Sequence, residues 1–422
     1  MRLSKLFHIL VLVLVATACT AQQTQSAGAV VQDRHLLMVS FDGFRNDYAE
    51  RWSLPNFMRM AAEGSRAAAL LPAYPSKTFP NHYSLVTGLY PGNHGIVDNS
   101  FHNRSTGTDY AISKREEVGD ARHYGGTPLW QHLQAAGIST ASYFWVGSEA
   151  PVGGSYPDHW QLYDSNVANE QRITQVLDWL SLPATQRPRF ITLYFSDVDS
   201  AAHDTGPLSE ASRAAALDAD RLLGLIMDGL AALPHPVALV VVSDHGMYPV
   251  VHTEESYIPL DTLQLPRSGV RLAMGQTQVQ LYMDDEAQVA ALYAELKPLE
   301  AGFQVLRRTE TPADWHYGTH ANNGDLLLVA ELGKTFVFSH EQEFNRVRAA
   351  RGDSIGVHGY DARDTPELHA IFQAWGGGVP AGMKLPALET IDVFPFISRY
   401  FGVAVPAGID GDGSVLQPLL GD

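Results

Sequence analysis

The stretch HLLMVSFDGFR, residues 35–45, decides the fold class. Its apolar run has the length of one strand and stops at Asp42 and Gly43. A short, continuous apolar run that ends in turn-forming residues is typical of a strand buried on both faces of a parallel sheet. We therefore predict a buried strand here, with Asp42 at its carboxyl end.

Two later stretches repeat this pattern. They are RFITLYFSDVDSAAH (189–203), which stops at Asp197 and Asp199, and PVALVVVSDHGM (236–247), which stops at Asp244 and His245. Helical patterns separate the strands, among them residues 208–233 and residues 53–64, where we predict Ser53 as the N-cap. This alternation predicts an α/β fold with a mostly parallel central sheet flanked by helices.

Residues 248–350 carry a pattern of their own. A strand is predicted in QTQVQLYMDD (276–285), a helix in EAQVAALYAELKP (286–298) and another strand in GDLLLVAEL (324–332). We predict a small α/β lobe inserted into a catalytic domain that spans residues 34–422.

The composition limits the classes of function. The chain has 422 residues, is 45% hydrophobic and carries a formal net charge of −17. This acidic balance excludes binding of a nucleic-acid duplex by phosphate neutralisation. An acidic protein that acts on an anionic substrate needs a local source of positive charge, and metal ions can supply it.

The N-terminus predicts export. MRLSK is basic, and the apolar run LFHILVLVLVATA is too short to span a bilayer. We predict a signal peptide over residues 1–18 and a polar linker over residues 19–33. Cys19, the only cysteine of the chain, is either the lipidated first residue of a mature lipoprotein or a neighbour of an ordinary cleavage site. The protein is therefore predicted to be periplasmic or attached to the outer membrane.

Three aspartates and three histidines stand where metal ligands are expected. Ligands bind at the carboxyl ends of strands in open α/β sheets, although a single aspartate there can equally cap the next helix. Asp199 and His203 share a face if their segment is helical, and His358 lies in the loop SIGVHGYDARD (354–364). Carboxylates and imidazoles without thiolates suit catalytic zinc. Two ions with three ligands each account for the set, namely Asp42, Asp199, His203, Asp244, His245 and His358.

The segment PSKTFPNHYSLVTG (75–88) presents a threonine at the start of a predicted helix. Its two prolines indicate a stiff turn, because each removes a backbone donor. Thr78 can cap the helix or, with a metal to lower its pKa, act as a nucleophile. A helix N-terminus favours an adjacent anion, so both roles require the same position.

Six motifs in order carry a family resemblance: FDGFR, PSKTFPNHYSLVTGLYPGNHGIVDN, WVGSE, DSAAHDTGP, SDHGM and GVHGYD. In these motifs the chain resembles the nucleotide pyrophosphatase/phosphodiesterase family of the alkaline phosphatase superfamily, in its bacterial single-domain type. The resemblance runs from about residue 34 to IDGDG (409–413). It implies an alkaline-phosphatase-like fold and two Zn²⁺ per chain.

The resemblance also assigns roles to individual residues. One zinc site would comprise Asp199, His203 and His358, and the other Asp42, Asp244 and His245, with Thr78 as fourth ligand and nucleophile. Asn99 is implied to donate to a phosphate oxygen, and Phe79 and Tyr163 to hold a nucleobase by stacking. From the sequence alone, Phe79 and Tyr163 can equally be core residues, and Asn99 can stabilise its loop.

Several residues of the motifs have more modest interpretations. Lys77 has no role that the resemblance implies, and we predict a solvated side chain, with contact to a phosphate as the alternative. Asp197 is predicted to be a turn residue or to lie behind the ligands. His82, His94 and His316 are predicted to be hydrogen-bonded histidines near the site.

The resemblance implies an exported two-zinc phosphodiesterase that releases nucleoside 5′-monophosphates through a covalent phosphothreonine. An alternative within the family is an enzyme for lysophospholipids or choline phosphodiesters. An alternative of another class is an inactive surface-binding protein, although all six ligands and Thr78 are present. A phosphate monoesterase is disfavoured, because the sequence offers no acidic motif for a third metal and no arginine for the site.

Overall fold

The computed structural model describes residues 34–266, 268–350 and 353–421. The strands are β1 (Leu36–Phe41), β2 (Ser65–Ala67), β3 (Leu70–Leu71), β4 (Ser100–Asn103), β5 (Thr108–Ala111), β6 (Thr140–Tyr143), β7 (His159–Gln161), β8 (Phe190–Phe195), β9 (Ala238–Val242), β10 (Tyr248–Val251), β11 (Tyr257–Pro259), β12 (Arg271–Met274), β13 (Gln278–Tyr282), β14 (Phe303–Arg307), β15 (Leu326–Ala330), β16 (Thr335–Val337), β17 (Ser354–Val357), β18 (Phe372–Gly376), β19 (Lys384–Leu385) and β20 (Leu388–Glu389). The α-helices are α1 (Tyr48–Arg51), α2 (Pro55–Glu63), α3 (Thr78–Thr87), α4 (Pro91–His94), α5 (Arg115–Val118), α6 (Leu129–Ala135), α7 (Asn169–Ser181), α8 (Asp197–Thr205), α9 (Glu210–Ala231), α10 (Glu286–Leu296), α11 (Ser339–Ala349) and α12 (Val393–Tyr400).

The central sheet has the strand order β19-β2-β18-β9-β1-β8-β6-β7. The five strands from β9 to β7 are parallel, whereas β18 runs antiparallel to both β9 and β2. In the parallel part, Leu36 of β1 is in register with Phe190 on one side and Ala238 on the other. The three strands that the sequence predicts are thus direct neighbours, and their carboxyl ends lie at one edge.

Strand β1 shows how the sheet fills two cores. Leu36 and Met38 belong to one apolar cluster, whereas Leu37, Val39 and Phe41 belong to another. Successive side chains of a strand point to opposite faces, so the sheet separates these cores. Helices α3, α6 and α12 pack into the first cluster, and α2, α7 and α9 pack into the second. Helices on both faces explain why the buried strands read as continuous apolar runs.

The predicted cap of α2 is wrong. The N-cap is Leu54, and Ser53 lies outside the helix with a φ of +53°. Pro55 takes the first helical position, and a residue before proline is driven into extended backbone, which is the conformation of an N-cap. The proline, not the serine, therefore determines where this helix begins.

The stretch between the third main strand and the last predicted histidine contains a second sheet. Strands β12, β13, β15 and β14 pair antiparallel in that order, and α10 lies between β13 and β14 in the chain. Its core is a third apolar cluster that includes Val279, Leu292 and Leu328. The chain leaves and re-enters the main fold through the antiparallel pair β10 and β17. Residue 358 therefore follows directly from the last strand of this connection.

The proposed signal peptide, the linker and Cys19 lie outside the described residues. Among the helices that the structure describes, none has both the length and the apolar character needed to cross a membrane. Export and lipid attachment remain predictions from the sequence.

Candidate active site

The carboxyl ends of β1 and β9 deliver the first group of ligands. Asp42 follows β1, and Asp244 and His245 follow β9, its parallel neighbour. The backbone N–H of Gly43 donates to Asp244 Oδ1 at 3.2 Å and joins the two turns. Gly43 has a φ of +67°, and a Cβ there would lie 2.9 Å from the Cα and Cβ of Asp199. Glycine at this position thus lets the next ligand segment approach.

The side chains of the first group converge on His245 Nε2. This atom lies 3.0 Å from Asp244 Oδ2 and 3.5 Å from Asp42 Oδ1. Thr78 Oγ1 lies 3.3 Å from the same nitrogen. All three ligand residues are buried. One cation between these atoms would contact two carboxylates, an imidazole and the Thr78 hydroxyl.

The second group comes from a helix and a loop. Asp199 and His203 lie on α8, one turn apart, as the sequence predicts, and Asp199 Oδ1 is 3.4 Å from His203 Nε2. His358 follows β17, and its Nε2 lies 3.0 Å from His203 Nε2 and 3.8 Å from Asp199 Oδ1. The His358 ring stacks on the ring of His245 with centroids 3.7 Å apart, so the two groups adjoin.

The three histidines are all oriented in the same way. In each, Nδ1 lies within hydrogen-bond distance of a backbone carbonyl, and Nε2 points toward the carboxylates. The carbonyls of Gly356, Gly246 and Ser76 lie 2.9, 2.8 and 2.8 Å from Nδ1 of His203, His245 and His358, respectively. A ring that donates from Nδ1 keeps its Nε2 lone pair for a metal, and this is the usual arrangement around protein-bound zinc.

Three buried carboxylate oxygens show that a cation would fit between the two groups. Asp42 Oδ1, Asp199 Oδ1 and Asp244 Oδ2 have no hydrogen-bond partner. Such groups are costly unless something compensates them. The unpartnered atoms face the Nε2 atoms. The ligand atoms of Asp42, Asp244 and His245 all lie within 4.8 Å of one another, and so do those of Asp199, His245 and His358, whereas the predicted second set had His203 in place of His245. The donor set therefore fits metal ions shared between the two groups.

Burial and neighbouring charges act unequally on the titratable groups of the cluster. Burial raises the pKa of Asp42 well above its usual range, and the neighbouring Asp244 raises it further. Burial also acts to raise the pKa of Asp244, but His245 and His82 outweigh it and hold that pKa well below its usual range. Burial lowers the pKa of His358 far below its usual range, so this imidazole is neutral and able to bind a metal.

Helix α3 places Thr78 beside this cluster. Thr78 is its first residue, and Lys77 is the N-cap without a side-chain cap of its own. The turn before it is clamped by Asn81, whose Nδ2 donates to the carbonyls of Ala73, Pro75 and Lys77 at 3.0–3.2 Å. The helix N-terminus faces the cluster, where an anion is electrostatically favoured.

Asn99 and two aromatic residues surround Thr78. Asn99 Oδ1 accepts from the backbone N–H of Phe79 at 3.0 Å, which leaves its Nδ2 as a donor. Phe79 and Tyr163 line a pocket of about 260 Å³ that also reaches Asp42, Thr78 and Asp199. Phe79 is partly buried and packs against the core, so its core-packing interpretation and its role as a pocket wall both apply.

The chain matches a known protein family over most of its length. The family model described as type I phosphodiesterase / nucleotide pyrophosphatase matches residues 36–361. The chain belongs to this family.

Curated members of the family resemble the chain over nearly all of its length. Ectonucleotide pyrophosphatase/phosphodiesterase family member 1 of Mus musculus is 38% identical over 417 residues, which are 96% of this chain and 45% of that protein. Venom phosphodiesterase of Macrovipera lebetinus is 30% identical over 411 residues, which are 95% of this chain and 47% of the venom protein. The chain thus spans about half the length of these relatives.

A solved structure is similar over its whole length. Murine ectonucleotide pyrophosphatase/phosphodiesterase 5 superposes with a TM-score of 0.82 at 26% identity, covering 92% of this chain and 100% of that one. This similarity confirms the predicted α/β class with a large central sheet between helices. The same murine protein has also been solved as an inactive variant in complex with AMP.

The predicted solvated side chain of Lys77 in this phosphodiesterase is wrong. The side chain is buried, with 5% exposure, rather than solvated. The reason is the loop beside it: Gly359 has a φ of +111°, and a Cβ there would lie 2.4 Å from Lys77 Cε. Ser76 Oγ accepts from Gly359 N at 2.9 Å and donates to the carbonyl of Tyr360 at 2.8 Å, so the turn before Thr78 docks onto the His358 loop.

The other motif histidines separate into two classes. His82 is buried at the site, with Nδ1 2.9 Å from the Thr78 carbonyl and 3.4 Å from Asp244 Oδ2. His94 instead hydrogen-bonds Ser84 in the core, and His316 stacks on Tyr90 with ring centroids 4.1 Å apart. The prediction that both lie near the site gains no support from these contacts.

Two further outcomes concern the β8 segment. Asp197 is exposed, is the first residue of α8 and accepts from Asn169 Nδ2 at 3.0 Å, so it lies in the first turn of the helix rather than in a separate turn. Tyr194, which we did not predict, donates from its hydroxyl to Asp42 Oδ2 at 2.5 Å. The sequence offers no signal for this contact, because it depends on the register of β8 against β1, in which Tyr194 pairs with Ser40, two residues before Asp42. Tyr194 thereby fixes the oxygen of Asp42 that does not face the cluster.

Proposed function

We propose that the protein is a two-zinc phosphodiesterase and pyrophosphatase that converts nucleotide diesters and phosphoanhydrides to nucleoside 5′-monophosphates. The observation that carries this proposal is Thr78 Oγ1 at the N-terminus of α3, 3.3 Å from His245 Nε2 and beside three unpartnered carboxylate oxygens. Two zinc ions, held by Asp42, Asp244 and His245 and by Asp199, His203 and His358, would lower the pKa of the Thr78 hydroxyl and of a water molecule and offset the charge of the phosphoryl oxygens.

The chain's own residues would carry the first step. Thr78 loses its proton to solvent and its Oγ1 attacks the phosphorus, while the bond between phosphorus and the leaving-group oxygen breaks on the opposite side and the leaving group departs with the bonding electrons. Asn99 Nδ2 donates to a phosphoryl oxygen, because Asn99 Oδ1 is already taken by the backbone of Phe79. The nucleoside remains bound through a phosphothreonine ester.

The second step regenerates the enzyme. A water molecule attacks the phosphorus from the side that the leaving group has vacated, and the Thr78–phosphorus bond breaks. The proton that water loses balances the one that Thr78 regains. Phe79 and Tyr163 keep the nucleobase in the aromatic pocket throughout, and the nucleoside 5′-monophosphate leaves last.

A substrate panel on zinc-loaded protein tests this proposal. p-Nitrophenyl thymidine 5′-monophosphate and ATP should be hydrolysed, ATP to AMP and pyrophosphate, and p-nitrophenyl phosphate much more slowly. Release of phosphate and ADP from ATP would contradict the assignment. A preference for p-nitrophenylphosphorylcholine would favour the lipid-directed alternative, and zinc-loaded protein inactive on every ester would favour the surface-binding alternative.

We also propose that the protein is exported and that Cys19 carries the anchor if the signal is that of a lipoprotein. The relatives include a venom phosphodiesterase and an ectonucleotide pyrophosphatase/phosphodiesterase, which supports export. Mass spectrometry of the mature N-terminus separates the two versions, since an unmodified first residue would contradict lipidation.

A further inference from the structure

A second cavity reaches the ligand cluster from the side of the second metal group. It has a volume of about 860 Å³ and extends between His203 and His358 on one side and the 248–350 lobe on the other. Lys77 and Asn99 line it near the cluster, and Phe336 lines it within the lobe. We call this cavity the lobe cleft. It is distinct from the aromatic pocket that contains Phe79 and Tyr163.

In an in-line displacement the nucleoside phosphate and the leaving group lie on opposite sides, so each of the two cavities can hold one of them. The group attacked by Thr78 retains its nucleoside, and the aromatic pocket offers stacking surfaces for it. The leaving group must depart on the side of the phosphorus opposite Thr78. Thr78 adjoins His245 of the first group, so the leaving group faces the second group, whose His203 and His358 line the lobe cleft. The lobe cleft is therefore where the leaving group would lie.

The cleft contains a buried cation with hydrogen bonds to spare. Lys77 is 5% exposed, and the structure gives its ammonium no hydrogen-bond acceptor among the described residues. Burial lowers the pKa of Lys77, and the carboxylates whose charge opposes this are Asp98 and Asp199. Asp98 is already engaged, because its oxygens accept from Gln278 Nε2 and from the backbone N–H of Asn99. A lysine ammonium has three donors, so Lys77 can bind a further anion.

The surroundings of Lys77 hold it in this place. Gly359 lacks the Cβ that would lie 2.4 Å from Lys77 Cε and 2.3 Å from Thr277 Oγ1. The Thr277 hydroxyl is itself buried without a hydrogen-bond partner. The remaining charged residues that line the cleft are Asp204, Glu341 and Arg348, and Arg348 Nη2 donates to the Asp204 carbonyl. Lys77 is thus the lining cation next to the histidines of the second group.

We propose that Lys77 binds the leaving group when that group is itself a phosphate or pyrophosphate anion, and that it makes the enzyme favour phosphoanhydrides over diesters whose leaving group carries no phosphate. This inference rests on the proposed function and adds a specificity-determining residue to it. The adjoining nucleophile Thr78 acts on both kinds of substrate, whereas Lys77 acts on one.

The test compares two nucleotide substrates that differ in their leaving group. ATP releases pyrophosphate, and p-nitrophenyl thymidine 5′-monophosphate releases p-nitrophenol. Lys77→Met retains most of the side-chain volume and removes the charge, Lys77→Arg retains the charge, and Lys384→Met at the edge of the central sheet is the matched control. For Lys77→Met, kcat/KM for ATP should fall about 10- to 100-fold, the range of a lost hydrogen bond to a charged group. Its kcat/KM for p-nitrophenyl thymidine 5′-monophosphate should change less than about threefold, the expected size when no charged contact is lost. Lys77→Arg should restore most of the ATP rate.

A binding measurement keeps this test separate from the proposed activity. By calorimetry on zinc-loaded protein, wild type should bind α,β-methylene ATP more tightly than AMP, and Lys77→Met should lose this difference. Equal losses on both substrates would show a structural role and overturn the proposal, as would an unchanged ratio of the two affinities. If wild-type protein hydrolyses neither substrate, the proposed function fails, while the two affinities still decide the role of Lys77.

Discussion

Helix α3 connects two regions whose buried polar groups differ in hydrogen bonding. At its first residue, Thr78 faces carboxylate oxygens that are buried and have no hydrogen-bond partner. Farther along the helix, Ser84 faces His94, and there the hydrogen bonds are complete. His94 Nδ1 accepts from the backbone N–H of Ile96 at 3.2 Å, and Nε2 lies 3.0 Å from Ser84 Oγ and 3.2 Å from the Pro80 carbonyl.

The difference shows that the electrostatically unfavourable carboxylates of this fold lie at the Thr78 end of α3. Buried polar groups are tolerated when they are satisfied, as around His94, and they cost stability when they are not. The cluster beside Thr78 leaves three buried carboxylate oxygens without a hydrogen-bond partner, which is typical of a functional site. Substitutions in the two regions should therefore separate activity from stability.

The largest effect should come from Thr78→Ala. If Thr78 is the nucleophile, kcat on p-nitrophenyl thymidine 5′-monophosphate should fall by at least about 10⁴-fold, because a removed nucleophile cannot be replaced by the remaining groups. Bound zinc, measured by mass spectrometry of the metal, should remain close to wild type, since the six proposed carboxylate and imidazole ligands are untouched.

The matched control lies on the same helix. Thr87 is buried, and its hydroxyl donates to the carbonyl of Tyr83 at 2.7 Å, away from the cluster. Thr87→Ala should lower the melting temperature and leave kcat within about threefold, because its contacts are structural. Near-wild-type activity in Thr78→Ala would refute the phosphothreonine mechanism.

The sequence was informative where geometry follows from chain order. Strands that end in Asp or Asp-His at one edge of a parallel sheet must bring those residues together, and Asp42 and Asp244 are indeed joined through Gly43. The i, i+4 spacing of Asp199 and His203 likewise required only one helical turn. Local rules were sufficient for these contacts.

Contacts that depend on how loops dock and on strand register could not be predicted. The burial of Lys77 depends on Gly359 and on the docking of Ser76 against that loop, more than 280 positions away in sequence. A lysine in a motif reads as solvated, because lysines usually are. Tyr194 was missed for a related reason: its hydroxyl reaches Asp42 across the sheet, and strand register is not visible in the sequence.

An intermediate effect is expected from the core histidine. Burial lowers the pKa of His94 to about 3. Protonation would place a proton on Nδ1 and break its bond from Ile96. Because the native pKa lies below the unfolded value of about 6.5, the contribution of His94 to stability is present above that pH and is lost as the pH falls toward 3. At pH 5 the loss should be about 2 kcal/mol.

A double comparison isolates this contribution. Urea unfolding of metal-free wild type and of His94→Gln should be measured between pH 7.5 and pH 5. The variant should be less stable at pH 7.5, but its stability should fall less steeply with acid. The groups other than His94 are common to both proteins, so their contributions cancel in the difference. Parallel curves would show that His94 does not remain neutral in the native core.

The smallest effect should have the opposite sign. Asp42 has a pKa raised well above its usual range by burial and by its carboxylate neighbours, so it destabilises the metal-free protein where it is ionised. Asp42→Asn keeps an acceptor for Tyr194 and removes the charge. Metal-free Asp42→Asn should therefore be more stable than wild type at pH 7.5, by about 1 kcal/mol, although it binds zinc more weakly.

The pH dependence of this gain provides its own control. Since the native pKa of Asp42 lies above the unfolded value, the wild-type penalty is absent below about pH 4 and grows as the pH rises. The advantage of Asp42→Asn in urea unfolding should thus be larger at pH 7.5 than at pH 4.5. Asp361→Asn is the matched counterpart, because Arg363 and Trp315 overcome burial and lower the pKa of Asp361. That variant should lose stability at pH 7.5. A loss in both variants would mean that the Asp42 carboxylate is compensated without a metal, and the contrast between the two ends of α3 would then disappear.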